Sequence, residues 1–99
     1  MKIDKHYIIN FLKTKKEFLK EEFGVTDISL FGSFARGEEN DESDVDVLIE
    51  MEDPTFSKLA GVSIYLEESF DRKISLVRKH DHLKPKFIKI ISRDLINVP

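Results

Sequence analysis

Ninety-nine residues, 40% hydrophobic and 35% charged with eight Phe, describe one folded domain spanning 1–99, near the lower size at which a core holds without disulfides or a structural metal. The absence of Cys excludes a disulfide framework and any thiolate metal site; no apolar run approaches the ~20 residues of a membrane span and the N-terminus carries no apolar leader, so a soluble cytoplasmic protein with no membrane partner is expected. A net charge of only −3 argues against direct nucleic-acid binding, which calls for a strongly basic face.

The charge is unevenly spread. Glu38 to Asp53 holds nine carboxylates and no Lys or Arg, whereas Arg72 to Arg93 holds eight basic residues against the single acid Asp81. Most such residues belong to solvated faces; the sharper expectation is a carboxylate cluster that attracts divalent cations and a basic third that meets polyphosphate or an acidic partner.

From about Asp4 to Glu22, Tyr7, Ile8, Phe11, Leu12, Phe18, Leu19 and Phe23 recur at helical spacing with Lys and Glu between them, which predicts an amphipathic helix capped by Asp4 and ended by Gly24. Val25 to Phe31 reads as a strand, Ser33 to Arg36 as one helical turn, Gly37 to Ser43 as a polar connection and Asp44 to Glu50 as a second strand. Phe56, Leu59, Ala60, Ser63, Leu66 and Phe70 trace the inner face of a second long helix, in which Gly61 suggests close packing. Arg72 to Val77 is a third strand. Lys84 to Ser92 is a helix begun by Pro85 that carries Phe87, Ile88 and Ile91 inward, and Leu95 to Val98 is a short closing strand. His80-Asp81-His82 falls in a turn with no further ligands near it and is expected to face solvent.

The chemistry concentrates between Gly32 and Asp46. A glycine at the end of a strand lets backbone approach a ligand, and Ser33 at a helix start offers a hydroxyl and free N–H groups to phosphate oxygens. Strand alternation places Asp44 and Asp46 on one face, about 7 Å apart along the backbone, either as hard oxygen ligands for Mg²⁺ or as solvent-facing residues of an antiparallel strand. A hairpin-like pairing of the two strands would bring Gly32-Ser33 close to Asp44.

Gly-Ser, ten residues and then Asp-x-Asp, with Arg36-Gly37 after the turn and Ser43 before the first Asp, resembles the signature of the nucleotidyltransferase superfamily related to DNA polymerase β. Within it, the chain is most similar to the minimal nucleotidyltransferase (MNT) antitoxins paired with HEPN-domain toxins. The resemblance spans the leading helix, the GSFARG and SDVDVLIE segments, the middle helix, the third strand and the final helix. It implies an α+β palm, a small mixed sheet with helices mainly on one face. It further implies that Gly32 and Ser33 hold the β and γ phosphates of ATP and that Asp44 and Asp46 hold two Mg²⁺ ions. AMP would pass to a tyrosine of a HEPN toxin with release of pyrophosphate. Arg36 would either steady phosphates or form a salt bridge to the Glu38, Glu39 and Asp41 loop.

One position departs from the pattern. The third strand of the family carries a third carboxylate that helps hold a metal and is placed to take the proton of the attacking hydroxyl; here Ser75 occupies it, and an unactivated serine is poorly suited to that role. Asp71 and Glu50 each lie four residues along their strands, about 13 Å from the position needed. Two readings follow: an active adenylyltransferase, or an antitoxin that binds nucleotide and neutralises its toxin by covering it. Relatives that act on RNA or small molecules carry an additional acceptor-binding domain, and none fits in this length.

Overall fold

A computed structural model of the chain describes residues 2–99. The first helix, α1 (Lys5–Phe23), begins where the Asp4 carboxylate accepts the Tyr7 N–H at 2.9 Å and ends at Gly24, whose φ of 73° returns its own N–H to the last turn. Ile8, Leu12 and Leu19 face inward. Strand β1 (Val25–Phe31) follows, then the short helix α2 (Gly32–Arg36) and strand β2 (Val45–Met51). Helix α3 (Phe56–Phe70) is capped by the Thr55 side chain, which accepts from the Lys58 N–H. It crosses over to strand β3 (Ile74–Arg78), and helix α4 (Pro85–Ser92) and strand β4 (Ile96–Asn97) complete the chain.

The four strands form one mixed sheet in the order β3-β2-β1-β4. The short connections give antiparallel pairs, β1 with β2 and β1 with β4, whereas the α3 crossover returns β3 parallel to β2. A shift of register between Val25 and Asp27 puts Val25 on the same side as Ile28 and Leu30. That side also carries Val45, Val47, Ile49 and Ile74, and it buries them against α1 and α3 in the main core. Gly61 is a packing glycine: a Cβ there would stand 2.6 Å from the Phe23 ring. This is the expected α+β arrangement, with helices mainly on one face of a small mixed sheet.

Strand alternation leaves Ser29, Phe31, Asp46, Leu48, Ser75 and Val77 on the opposite face. There α4 contributes one buried residue, Ile91, which joins Phe31 and Leu48 in a small second cluster with Val77 packed against it. The inward placement expected of three other residues fails. Phe56, the first residue of α3 after the Thr55 cap, is 87% exposed. Phe87 and Ile88 are also exposed, because α4 touches the sheet through only its last turn.

Candidate functional site

The site is built where β1 ends and β2 begins. Phe31 pairs with Asp46 across the antiparallel ladder, so the chain leaving β1 turns beside that carboxylate. Gly32 makes the turn at φ 76°, and a Cβ on it would collide with Asp46 Oδ2 and approach its Cγ to 2.9 Å. The residue against Gly32 is therefore Asp46, which the antiparallel register opposes to Phe31. Gly32→Ala is expected to cost about 1–2 kcal/mol from the left-handed backbone alone and to push Asp46 out of place. Urea denaturation reads the first effect and loss of Mg²⁺-dependent nucleotide binding the second.

Ser33 opens α2, and Gly37 ends it in the left-handed conformation with its N–H bonded back to Phe34 and Ser33 carbonyls. Phe34 is fully buried and fixes the helix in the core. The Arg72 guanidinium stacks 5.0 Å above the Phe34 ring and donates to the carbonyls of Asn40 and Ser43 at 2.9 Å, which ties down the acidic connection just ahead of Asp44. This anchoring by Arg72 was not foreseen from the sequence, where it stood only as one member of a basic run.

Asp46 lies on the open face with Asp44 just ahead of the strand and near enough for its charge to act on Asp46, and Ser75 is the parallel-strand partner of Asp46. The Asp46 carboxyl is raised above the ordinary aspartate range. Burial is the main cause; the Ser75 hydroxyl hydrogen bond opposes it, the Asp44 charge adds to it and the Arg36 charge opposes it. A carboxyl raised in the folded state gives stability that is complete below its unfolded pKa and is lost as pH rises through the folded one. Asp46→Asn should accordingly melt higher than the parent at pH 7 in EDTA, and the gain should close when melts are repeated at about pH 3.5, below the ordinary carboxylate value. A lower melting temperature at pH 7 would contradict this account.

Arg36 stands at the rim. Its Nε lies 3.3 Å from Glu38 Oε2 and its Nη1 3.0 Å from Asp94 Oδ2, and these two carboxylates, Asp94 foremost, raise its pKa. Of the expected loop partners only Glu38 is engaged; Asp94, 58 residues on, replaces Glu39 and Asp41, because α4 brings its C-terminal end to α2. His80 and His82 sit in a turn in which His80 Nδ1 accepts the His82 N–H, and Asp81 and His82 are exposed. Among the described residues no three acids or histidines converge on one point. The groups available at the site are thus two carboxylates, the Ser33 hydroxyl and the backbone N–H groups at the start of α2, chemically suited to a hard cation or to phosphate oxygens.

A glycine-serine turn set against paired carboxylates on the open face of a small mixed sheet is the arrangement of a nucleotidyltransferase palm. The nucleotidyltransferase domain profile matches residues 12–98, and the chain belongs to that family. It is 37% identical over 92 residues to the protein adenylyltransferase MntA of Thermococcus cleftensis, covering 92% of each chain. It is 39% identical over 90 residues to a Methanocaldococcus jannaschii protein named as a candidate protein adenylyltransferase, covering 88% of this chain and 90% of the relative. Among solved structures, one described as a candidate minimal nucleotidyltransferase superposes with a TM-score of 0.76 at 25% identity over 95% of each chain. The Shewanella oneidensis complex of a tri-AMPylated HEPN toxin with its MNT antitoxin shares the fold, with a TM-score of 0.63 at 15% identity over 92% of this chain and 71% of the other.

Proposed function

We propose that the chain is an antitoxin that binds ATP with Mg²⁺ and transfers AMP to a tyrosine of a partner HEPN toxin. The observation that carries this reading is the seating of the Asp46 carboxylate against Gly32, which joins the phosphate turn and the acidic pair in one site. A Cβ would fill the space that Asp46 needs, and a half-buried carboxylate whose pKa is raised by desolvation and by a like charge gains from a cation.

Gly32 and Ser33 would receive the β and γ phosphates through backbone N–H groups and the Ser33 hydroxyl. Asp44 and Asp46 would hold Mg²⁺, which neutralises triphosphate charge; with two carboxylates and the phosphate oxygens, water completes the octahedron. Arg36, held at the rim by Glu38 and Asp94, lies where its charge reaches Asp46 and would steady phosphate oxygens. In the transfer, the acceptor oxygen bonds to the α-phosphorus as the bond to pyrophosphate breaks, and the proton of the acceptor hydroxyl passes to solvent.

Ser75 favours a second reading. With a serine as the strand partner of Asp46, the chain lacks the third acid of the family pattern, and it would neutralise its toxin by nucleotide-dependent or simple binding without transfer. Incubating the two proteins with radiolabelled ATP and Mg²⁺ separates the readings: label on the toxin supports transfer, and a stable complex without label supports binding alone.

A further inference from the structure

Eight large apolar side chains are exposed among the described residues, and four of them, Phe87 at 37%, Ile88 at 36%, Ile90 at 52% and Leu95 at 36%, fall within nine residues of α4 and its exit. The other four are spread over α1 and α3. Helical spacing puts Phe87, Ile88, Ile90 and Ile91 on one broad arc, and only Ile91 reaches the core. Lys86, Lys89 and Arg93 form the adjoining stripe, and no acid occurs from Lys84 to Arg93. Between about a third and a half of Phe87, Ile88, Ile90 and Leu95 thus stays uncovered, apolar surface that contact with another protein would bury.

Its position relative to the site gives that surface a use. Ile91 packs with Phe31, the cross-strand neighbour of Asp46, and with Leu48, two residues along from it on the same face. Asp94, just beyond the helix, holds Arg36. This end of the helix therefore lies on the same sheet face as Asp46, close to that carboxylate, and a side chain delivered in trans to the site brings its own protein near α4.

We propose that the apolar arc of α4 with Leu95, edged by Lys86, Lys89 and Arg93, docks the acceptor protein, whose matching patch is apolar and bordered by carboxylates. The inference rests on the reading of this site as one that modifies a partner. A cluster of apolar side chains ringed by charge is the usual anatomy of such a contact, and the basic edge sets the sign of the partner's rim.

The test uses the full chain and a purified HEPN-domain toxin from the same organism. Ile90→Asp alters a side chain that is 52% exposed, and Ile64→Asp, at 56% on α3, serves as the control. Ile90→Asp is expected to weaken the complex with the toxin, and to raise KM for it in transfer, by tenfold or more; AMP-PNP affinity and melting temperature stay as in the parent. Ile64→Asp leaves all four quantities unchanged. Unaltered toxin affinity in Ile90→Asp overturns the proposal, as does a self-dimer of the chain that Ile90→Asp alone dissociates in sedimentation, which would assign the face to a second copy. A complex that weakens as expected but carries no AMP upholds the docking surface and defeats only the transfer reading. A parent chain that neither binds nor modifies the toxin overturns both.

Discussion

Asp44→Ala is expected to lower AMP transfer by at least about a hundredfold, the scale of losing a group that fixes a catalytic metal and its charge. The fold should survive. Asp44 precedes β2, is not part of the main core, and its charge is one of the influences that raise the Asp46 carboxyl. Removing it relieves repulsion in the metal-free protein, so the melting temperature in EDTA should equal or exceed that of the parent. The informative result is the combination of lost transfer with retained stability. Equal transfer by parent and Asp44→Ala would remove Asp44 from the metal site.

Ser75→Asp should act in the opposite direction, raising transfer by about 10²–10⁴-fold at neutral pH, the range that a positioned general base supplies. The new carboxylate would face Asp46 across the parallel pair, where it can accept the acceptor's proton and add a metal ligand. It should also destabilise the metal-free fold, since a third negative charge joins two that already repel. The serine of the parent bears on the acceptor as well. A phenol with pKa near 10 yields its proton far more readily than an aliphatic hydroxyl, so a site without a carboxylate base still suits tyrosine. Parent transfer should then rise by roughly tenfold per pH unit between about 7 and 9, following the phenolate fraction. Ser75→Asp should flatten that profile, and Ser75→Ala should match the parent. A loss in Ser75→Ala as deep as that in Asp44→Ala would make the hydroxyl a ligand rather than a bystander.

The elements of this fold were readable because local signals agreed with packing. Asp4 and Gly24 bound α1 as capping chemistry dictates, and the alternation of Val45, Val47 and Ile49 with Asp46 and Leu48 carried directly into a sheet that buries one face in the main core. The contacts that complete the site were harder to see. Asp94 reaches Arg36 across 58 residues, and Arg72 clasps the Asn40 and Ser43 carbonyls from the far side of α3. Neither pairing leaves a local pattern, because both depend on how a crossover and a terminal helix return to the sheet. Periodicity misled in α4 for a related reason: it reports an apolar arc faithfully and says nothing of whether this chain or another one covers it. Register likewise set Asp46 against Gly32, a placement that depends on one residue of strand pairing.

The most direct measurement of the whole account is the intact mass of the HEPN toxin after incubation with this chain, ATP and Mg²⁺, followed by mapping of any adduct. The account predicts an AMP-sized increase on a tyrosine, absent with Asp44→Ala or in EDTA. A toxin of unchanged mass, recovered with this chain under conditions where the two proteins bind, would contradict it.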